Sequence, residues 1–166
     1  MKESIKIIKT RRSIRNYKDK KIPQDVILDI IDCGRLAPTA RNEQPWEFIV
    51  VRNKQNLEKL TLIVDKNAPF LKKADCCIVV ICKETKYYLE DGCAATENII
   101  LAAHFYGIGS CWIAGDKKEY AQKVKEFLQV PSGYKLVSLI ALGYPEGKLP
   151  SPPKRKLQDV LHWEKF

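Results

Sequence analysis

Metal ligands are scarce in this sequence. Its 166 residues include two histidines, and none of its six cysteines forms a C-x-x-C pair. A zinc site needs several such ligands at close spacing, so the chain gives no support for one. No apolar run approaches the roughly 20 residues that span a bilayer, and the N-terminus lacks the apolar segment of a signal peptide. Neither G-x-G-x-x-G nor a Walker sequence occurs, which leaves a Rossmann dinucleotide unit and a P-loop NTPase unsupported. No internal repeat or interdomain linker is visible. The expected location is the cytoplasm, where Cys33, Cys76, Cys77, Cys82, Cys93 and Cys111 remain reduced thiols. Cys76, Cys77 and Cys82 lie in an apolar run and read as small core residues.

What is present is ordinary globular material: 45% hydrophobic and 30% charged residues. The length fits a single domain over residues 1–166 that can bury a real core. The net charge of +9 is unevenly spread. Residues 1–21 carry nine Lys/Arg against two Asp/Glu, residues 147–166 carry five against two, and the stretch between is slightly acidic. Basic ends of this kind suit a nucleic-acid binder. They equally suit two chain ends that meet at a bound phosphate.

Residues 3–11 read as a short helix with Ile5, Ile8 and Arg12 on one face. A second helix starts at Ile22-Pro23 and must stop near Ala37-Pro38. Thr39 to Pro45 is a polar loop, and 48–51 is a buried strand. A helix over 56–64 is broken by Asn67-Ala68-Pro69. The apolar run 76–82 predicts a central strand covered on both faces. Residues 90–106 form the most apolar helix, destined for the core or a subunit interface, with Gly107 as its C-cap. A strand over 110–113, a helix over 117–128 and a strand over 135–142 follow. From residue 144 the chain reads as an extended arm (144–166), with four prolines before Lys156. Helices mixed with about four strands predict a layered α+β domain.

Four stretches carry chemistry. Arg11, Arg12, Ser13 and Arg15 group three guanidinium forks and a hydroxyl, donors suited to phosphate oxygens. A solvated basic loop is the competing reading. Lys154, Arg155 and Lys156 carry the same two readings. Asn42 and Gln44 both donate and accept, which suits a heterocycle edge, or else caps a loop. Gly107, Gly109 and Gly115 flank a strand and admit a flat ligand close to the backbone, or serve turns. Cys111, His104 and Trp112 sit in apolar contexts that favour packing over catalysis.

Taken in order, the arginine cluster, the run Ala37 to Trp46, the helix Asp91 to Ala103, the run Gly107 to Gly115 and the basic tail resemble the nitroreductase family of FMN-dependent flavoproteins. The resemblance spans nearly the whole chain. It implies an α+β fold, a layered sheet flanked by helices, in an intertwined homodimer with FMN at the interface. By position, Arg11 holds the FMN phosphate with Lys154 and Arg155, and Arg12 lies close by. Ser13 and Arg15 sit near the ribityl chain and pyrimidine edge. Pro38, Thr39, Ala40 and Asn42 come from the other subunit. Ile113, Ala114 and Gly115 offer backbone amides near flavin N5, and Asn67 faces the ring. No side chain acts as catalyst, because the chemistry lies at flavin N5.

The implied activity is an oxidoreductase that passes a hydride from NADH or NADPH to nitroaromatics, quinones or similar small electron-poor acceptors, without nucleic-acid or membrane partners. The chain departs from the family at Arg41 and at Thr39-Ala40, where paired serines are common. Its segment before the long helix is also short, which implies an open flavin. Two alternatives stay in view: an FMN-binding protein with other flavin chemistry, and a basic nucleic-acid-binding module.

Overall fold

A computed structural model of the chain describes residues 3–149 and 151–166. Pro150, one of the four expected arm prolines, lies outside them. At the centre is β2 (Cys76–Lys83), buried at every residue but Lys83. Its neighbours are β1 (Trp46–Val51) and β4 (Tyr134–Gly143), and β3 (Gly109–Ala114) closes the far edge, giving the order β1-β2-β4-β3 with all pairs antiparallel. A continuous apolar run becomes a central strand because its alternate residues feed two separate cores. Cys77, Val79 and Ile81 face one core; Cys76, Ile78, Val80 and Cys82 face the other.

Helices cover both faces. On one lie α3 (Lys54–Val64) and α5 (Ala121–Phe127), through Leu57, Leu60, Val64 and Val124. On the other lie α2 (Gln24–Arg35) and α4 (Tyr88–Phe105), through Ile27, Ile30, Ala95, Ile99 and Ala103. This is the layered α+β architecture the sequence implies. No helix among the described residues is long and apolar enough to cross a membrane.

Several boundaries move for local reasons. The helix expected from 56 starts at Lys54, because the Asn53 side chain accepts the Asn56 N–H at 3.1 Å. The strand expected from 48 starts at Trp46, paired opposite Cys82. The helix expected over 117–128 is corrected to Ala121–Phe127: Lys117 has φ +57°, and the Tyr120 hydroxyl donates to the Ala114 carbonyl, so 115–120 is a turn. The first helix, α1 (Glu3–Thr10), forms as expected, yet Ile5 and Ile8 on it are exposed. Beyond residue 144 the described chain has a single short turn of helix, Leu157–Asp159.

Candidate functional site

β3 is an edge strand, so one side of its backbone has no strand partner. The N-terminal loop occupies the first part of that edge. Ser13 bridges Ser110 in parallel, and the Ile14 N–H donates to the Ser110 carbonyl at 2.8 Å. The approach needs Gly109, since a Cβ there would meet Ile14 at 2.9 Å. The loop continues over Gly143, where a Cβ would strike the Tyr17 ring at 2.7 Å. The Tyr17 hydroxyl then donates to the Ile14 carbonyl at 2.6 Å, the Lys18 N–H to the Tyr144 carbonyl at 2.9 Å, and the Glu146 N–H to the Asn16 carbonyl at 3.0 Å. Glycines at strand ends thus let the arginine loop lie directly on the sheet.

The result is a cavity of about 190 Å³ lined by Arg11, Arg12, Ser13, Arg15, Pro152 and Lys154. Both chain ends contribute cations, as the charge distribution suggested. Arg12 is fastened: its Nη1 donates to the carbonyls of Lys9 and Arg11 at 2.9 and 2.7 Å. Its Nε is buried and has no hydrogen-bond partner among the described residues. An unpartnered buried N–H is costly unless something outside the chain accepts from it. Arg15 reaches the Phe70 ring, its guanidinium carbon 5.7 Å from the centroid, and so ties the loop to the segment after α3.

The remaining expected residues lie elsewhere. Arg155 does not line this cavity; its guanidinium donates to the Asp159 carbonyl. Asn67 is exposed, and its side chain donates to the Val64 carbonyl at 2.9 Å, so part of its polarity serves the turn after α3. Pro38, Thr39, Ala40 and Asn42 sit on a separate loop held against α4. Asp91, 4% exposed, accepts the Ala40 N–H at 3.0 Å. Thr39 Oγ1 accepts the Gln44 N–H at 3.2 Å, and Gln44 Nε2 donates to Asn42 Oδ1 at 3.1 Å. Arg41, Asn42 and Gln44 all have positive φ there. Pro38 and Asn42 remain exposed.

At the end of β3, alternation separates Ile113, Ala114 and Gly115. The Gly115 N–H donates to the Val137 carbonyl at 3.0 Å, so it faces β4, as does Ile113 two residues earlier. Ser110 and Ala114 present their backbone to the open edge, as the Ile14 and Tyr120 contacts show. The outward amide of the three is therefore Ala114.

Three features escaped sequence reasoning. Phe70 meets Arg15 from a distant segment. His104, at the end of α4, hydrogen-bonds Thr10 at 2.9 Å; because Thr10 Oγ1 donates to the Lys6 carbonyl, His104 Nε2 is the donor. Burial, then Arg11 and Arg12, hold its pKa below the ordinary histidine value. Cys111 lies close to Arg15 and Arg11, yet burial outweighs both and pushes its thiol up, the opposite of an activated nucleophile.

Comparison with known proteins identifies the family. The family model for the nitroreductase family matches residues 8–75 and 61–144. A protein of Archaeoglobus fulgidus, named as an NADH dehydrogenase/NAD(P)H nitroreductase, is 40% identical over the full length of both chains. The chain belongs to the nitroreductase family. An FMN-dependent nitroreductase from Clostridium difficile R20291 superposes with a TM-score of 0.91 at 34% identity, covering 98% of this chain and 99% of that one. An FMN reductase (NADPH) of Bacillus subtilis is 27% identical over 98% of this chain and 74% of its own length. As a nitroreductase-family protein the chain is an oxidoreductase with the family's helix-flanked antiparallel sheet.

Proposed function

We propose that this protein is an FMN-dependent oxidoreductase that takes electrons from NADH or NADPH and delivers them to small electron-poor acceptors such as nitroaromatics and quinones. The observation that carries the reading is the arginine cavity. Arg12 Nε is a buried donor without an acceptor among the described residues, beside Arg11, Ser13, Arg15 and Lys154, and a phosphate monoester supplies acceptors and two negative charges. FMN, when bound, supplies two-electron redox chemistry at N5.

In this reading Arg11, Arg12 and Lys154 hold the phosphate, with Arg155 available only if it leaves the Asp159 carbonyl. Ser13 lies on the path from phosphate to ring. Arg15, fixed toward Phe70, offers a cation to the pyrimidine edge, where negative charge collects on reduction, and so favours the reduced state. The outward Ala114 N–H donates toward N5, while Ile113 and Gly115 hold the strand in place. Asn67 stands at the turn before Phe70 and faces the ring with what its Val64 bond leaves free.

Pro38, Thr39, Ala40 and Asn42 cover the flavin of a second copy in an intertwined homodimer. Supporting this are a loop with a fixed shape and outward Pro38 and Asn42, together with open apolar surface at Ile8, Phe105, Leu157 and Trp163. Residues 1–166 act as one FMN-binding unit, with 144–166 as the arm that brings Lys154 to the phosphate. The connection 84–87 between β2 and α4 is too short to roof the ring, so the acceptor meets an open flavin. Six free cysteines suit the reducing cytoplasm.

The test is steady-state kinetics of FMN-loaded protein with NADPH and a quinone, both varied. Parallel double-reciprocal lines are expected from an exchange through one flavin face. Absence of turnover with quinone and nitroaromatic alike contradicts the proposal.

A further inference from the structure

The lysines at 18, 20 and 21 supply much of the basicity of the N-terminal stretch, yet none of them lines the arginine cavity. They line a different one, of about 460 Å³, to which Tyr17 also contributes. Arg52 and Lys54, after β1, and Lys72 and Lys73, on the short helical turn before β2, complete its basic wall. Seven cations thus face one concavity from three chain segments, against the carboxylates of Asp19, Asp75 and Glu146.

Those carboxylates do not neutralise the wall. Asp75 is buried and already shared: it accepts the Ile22 N–H at 2.9 Å and pairs with Arg52 and Lys21, each at 3.0 Å. Among the described residues no carboxylate lies within 4 Å of Lys18, Lys20, Lys54, Lys72 or Lys73, and Asp19 and Glu146 form no ion pair. Lys20 is oriented as well, its ammonium 4.2 Å from the Tyr144 ring centroid. Lysines that serve only solubility point apart on convex faces. Here five unpaired ammonium groups gather in a cleft, which concentrates positive potential and draws in multivalent anions.

We propose that this lysine cavity is a second anion site, separate from the flavin phosphate site, and that it takes a ligand with two or more linked phosphoryl groups. A single phosphate would leave most of the wall unmatched, whereas a diphosphate spans lysines from different segments. Two sources offer that chemistry: the diphosphate of the nicotinamide donor, and a free oligophosphate. The site itself does not depend on the flavin reading.

The experiment is calorimetric titration of protein saturated with FMN, using inorganic pyrophosphate and, separately, orthophosphate, at physiological salt. Pyrophosphate is expected to bind at one site per chain and more tightly than orthophosphate. The Lys72→Gln/Lys73→Gln variant should bind pyrophosphate about tenfold or more weakly, with FMN retention unchanged. Absence of binding, or equal binding by variant and wild type, overturns the proposal, as does a loss confined to Arg11→Ala, which would put the anion in the arginine cavity. Failure of the flavin reading shows separately, as protein that retains no yellow colour. A pyrophosphate-dependent rise in KM for NADPH, matched by a higher KM at constant kcat in the lysine variant, identifies the donor's diphosphate as occupant. Unchanged KM with pyrophosphate bound identifies a free oligophosphate.

Discussion

The arginine cavity and the lysine cavity are built on different principles. In the first, a guanidinium is tied to backbone carbonyls and presents a buried N–H that nothing among the described residues accepts. In the second, the buried feature is the carboxylate of Asp75, whose Oδ2 accepts from Ile22 and Arg52 while Oδ1 faces the Lys21 ammonium, and the cations around it stand in solvent. One site is preorganised and short of an acceptor; the other is anchored at its base by Asp75 and overcharged at its rim. Rigid planar forks favour a single well-placed phosphate, and flexible point charges favour an extended anion. Charge count alone would not separate them, but the chemistry of the buried group does: a donor in the first, a carboxylate oxygen in the second.

Removing the anchor of the lysine side should have the largest effect. Asp75→Ala leaves the Ile22 N–H and the Arg52 guanidinium without their shared acceptor, and should lower unfolding free energy by about 3 kcal/mol. Chemical denaturation reads this directly; an unchanged midpoint would mean that Asp75 anchors nothing.

On the arginine side, Arg11→Ala should leave folding intact and weaken FMN binding by about 1.5–3 kcal/mol, the value of a charge-assisted contact. Fluorescence titration of FMN measures it, and equal affinities would remove Arg11 from the phosphate site.

A smaller effect comes from His104, which borders the same arginines. Burial and the neighbouring Arg11 and Arg12 lower its pKa in the folded protein. The folded state therefore binds that proton less readily than the unfolded chain. The stability contributed by the neutral ring is complete above about pH 6.5, and it is lost as pH falls through the lower folded value. His104→Gln, which stays neutral, should show a smaller drop in Tm between neutral and acidic pH than the wild type. Identical drops would show that the ring carries no such penalty.

The smallest effect belongs to Cys111→Ser, which should leave turnover nearly unchanged because the thiol is buried, protonated and held among packed side chains. Loss of turnover with flavin still bound would reinstate Cys111 as a participant in the reaction.

The layered fold was legible from local signals. The apolar run at Cys76–Cys82 could only be a strand covered twice, and Ile99, Ala103 and their neighbours could only form a buried helix. The meeting of both chain ends at one cationic cavity was legible because both ends of the chain are basic. What could not be read was long-range. Arg155 looks like Lys154 in sequence, and only the fold turns it to the Asp159 carbonyl. Ile113, Ala114 and Gly115 are equivalent until strand pairing shows which amide faces outward. Lys18, Lys54 and Lys72 belong to three unrelated segments, and their meeting depends on the position of Asp75 against Ile22 and Arg52.

One measurement reaches the centre of the account: the visible spectrum of protein incubated with FMN, desalted, and then given NADH or NADPH without oxygen. The expected result is a yellow flavin that stays with the protein and bleaches when the nucleotide is added. A desalted protein with no flavin absorbance would contradict the assignment of the arginine cavity, and a retained flavin that neither nucleotide bleaches would contradict the oxidoreductase function built on it.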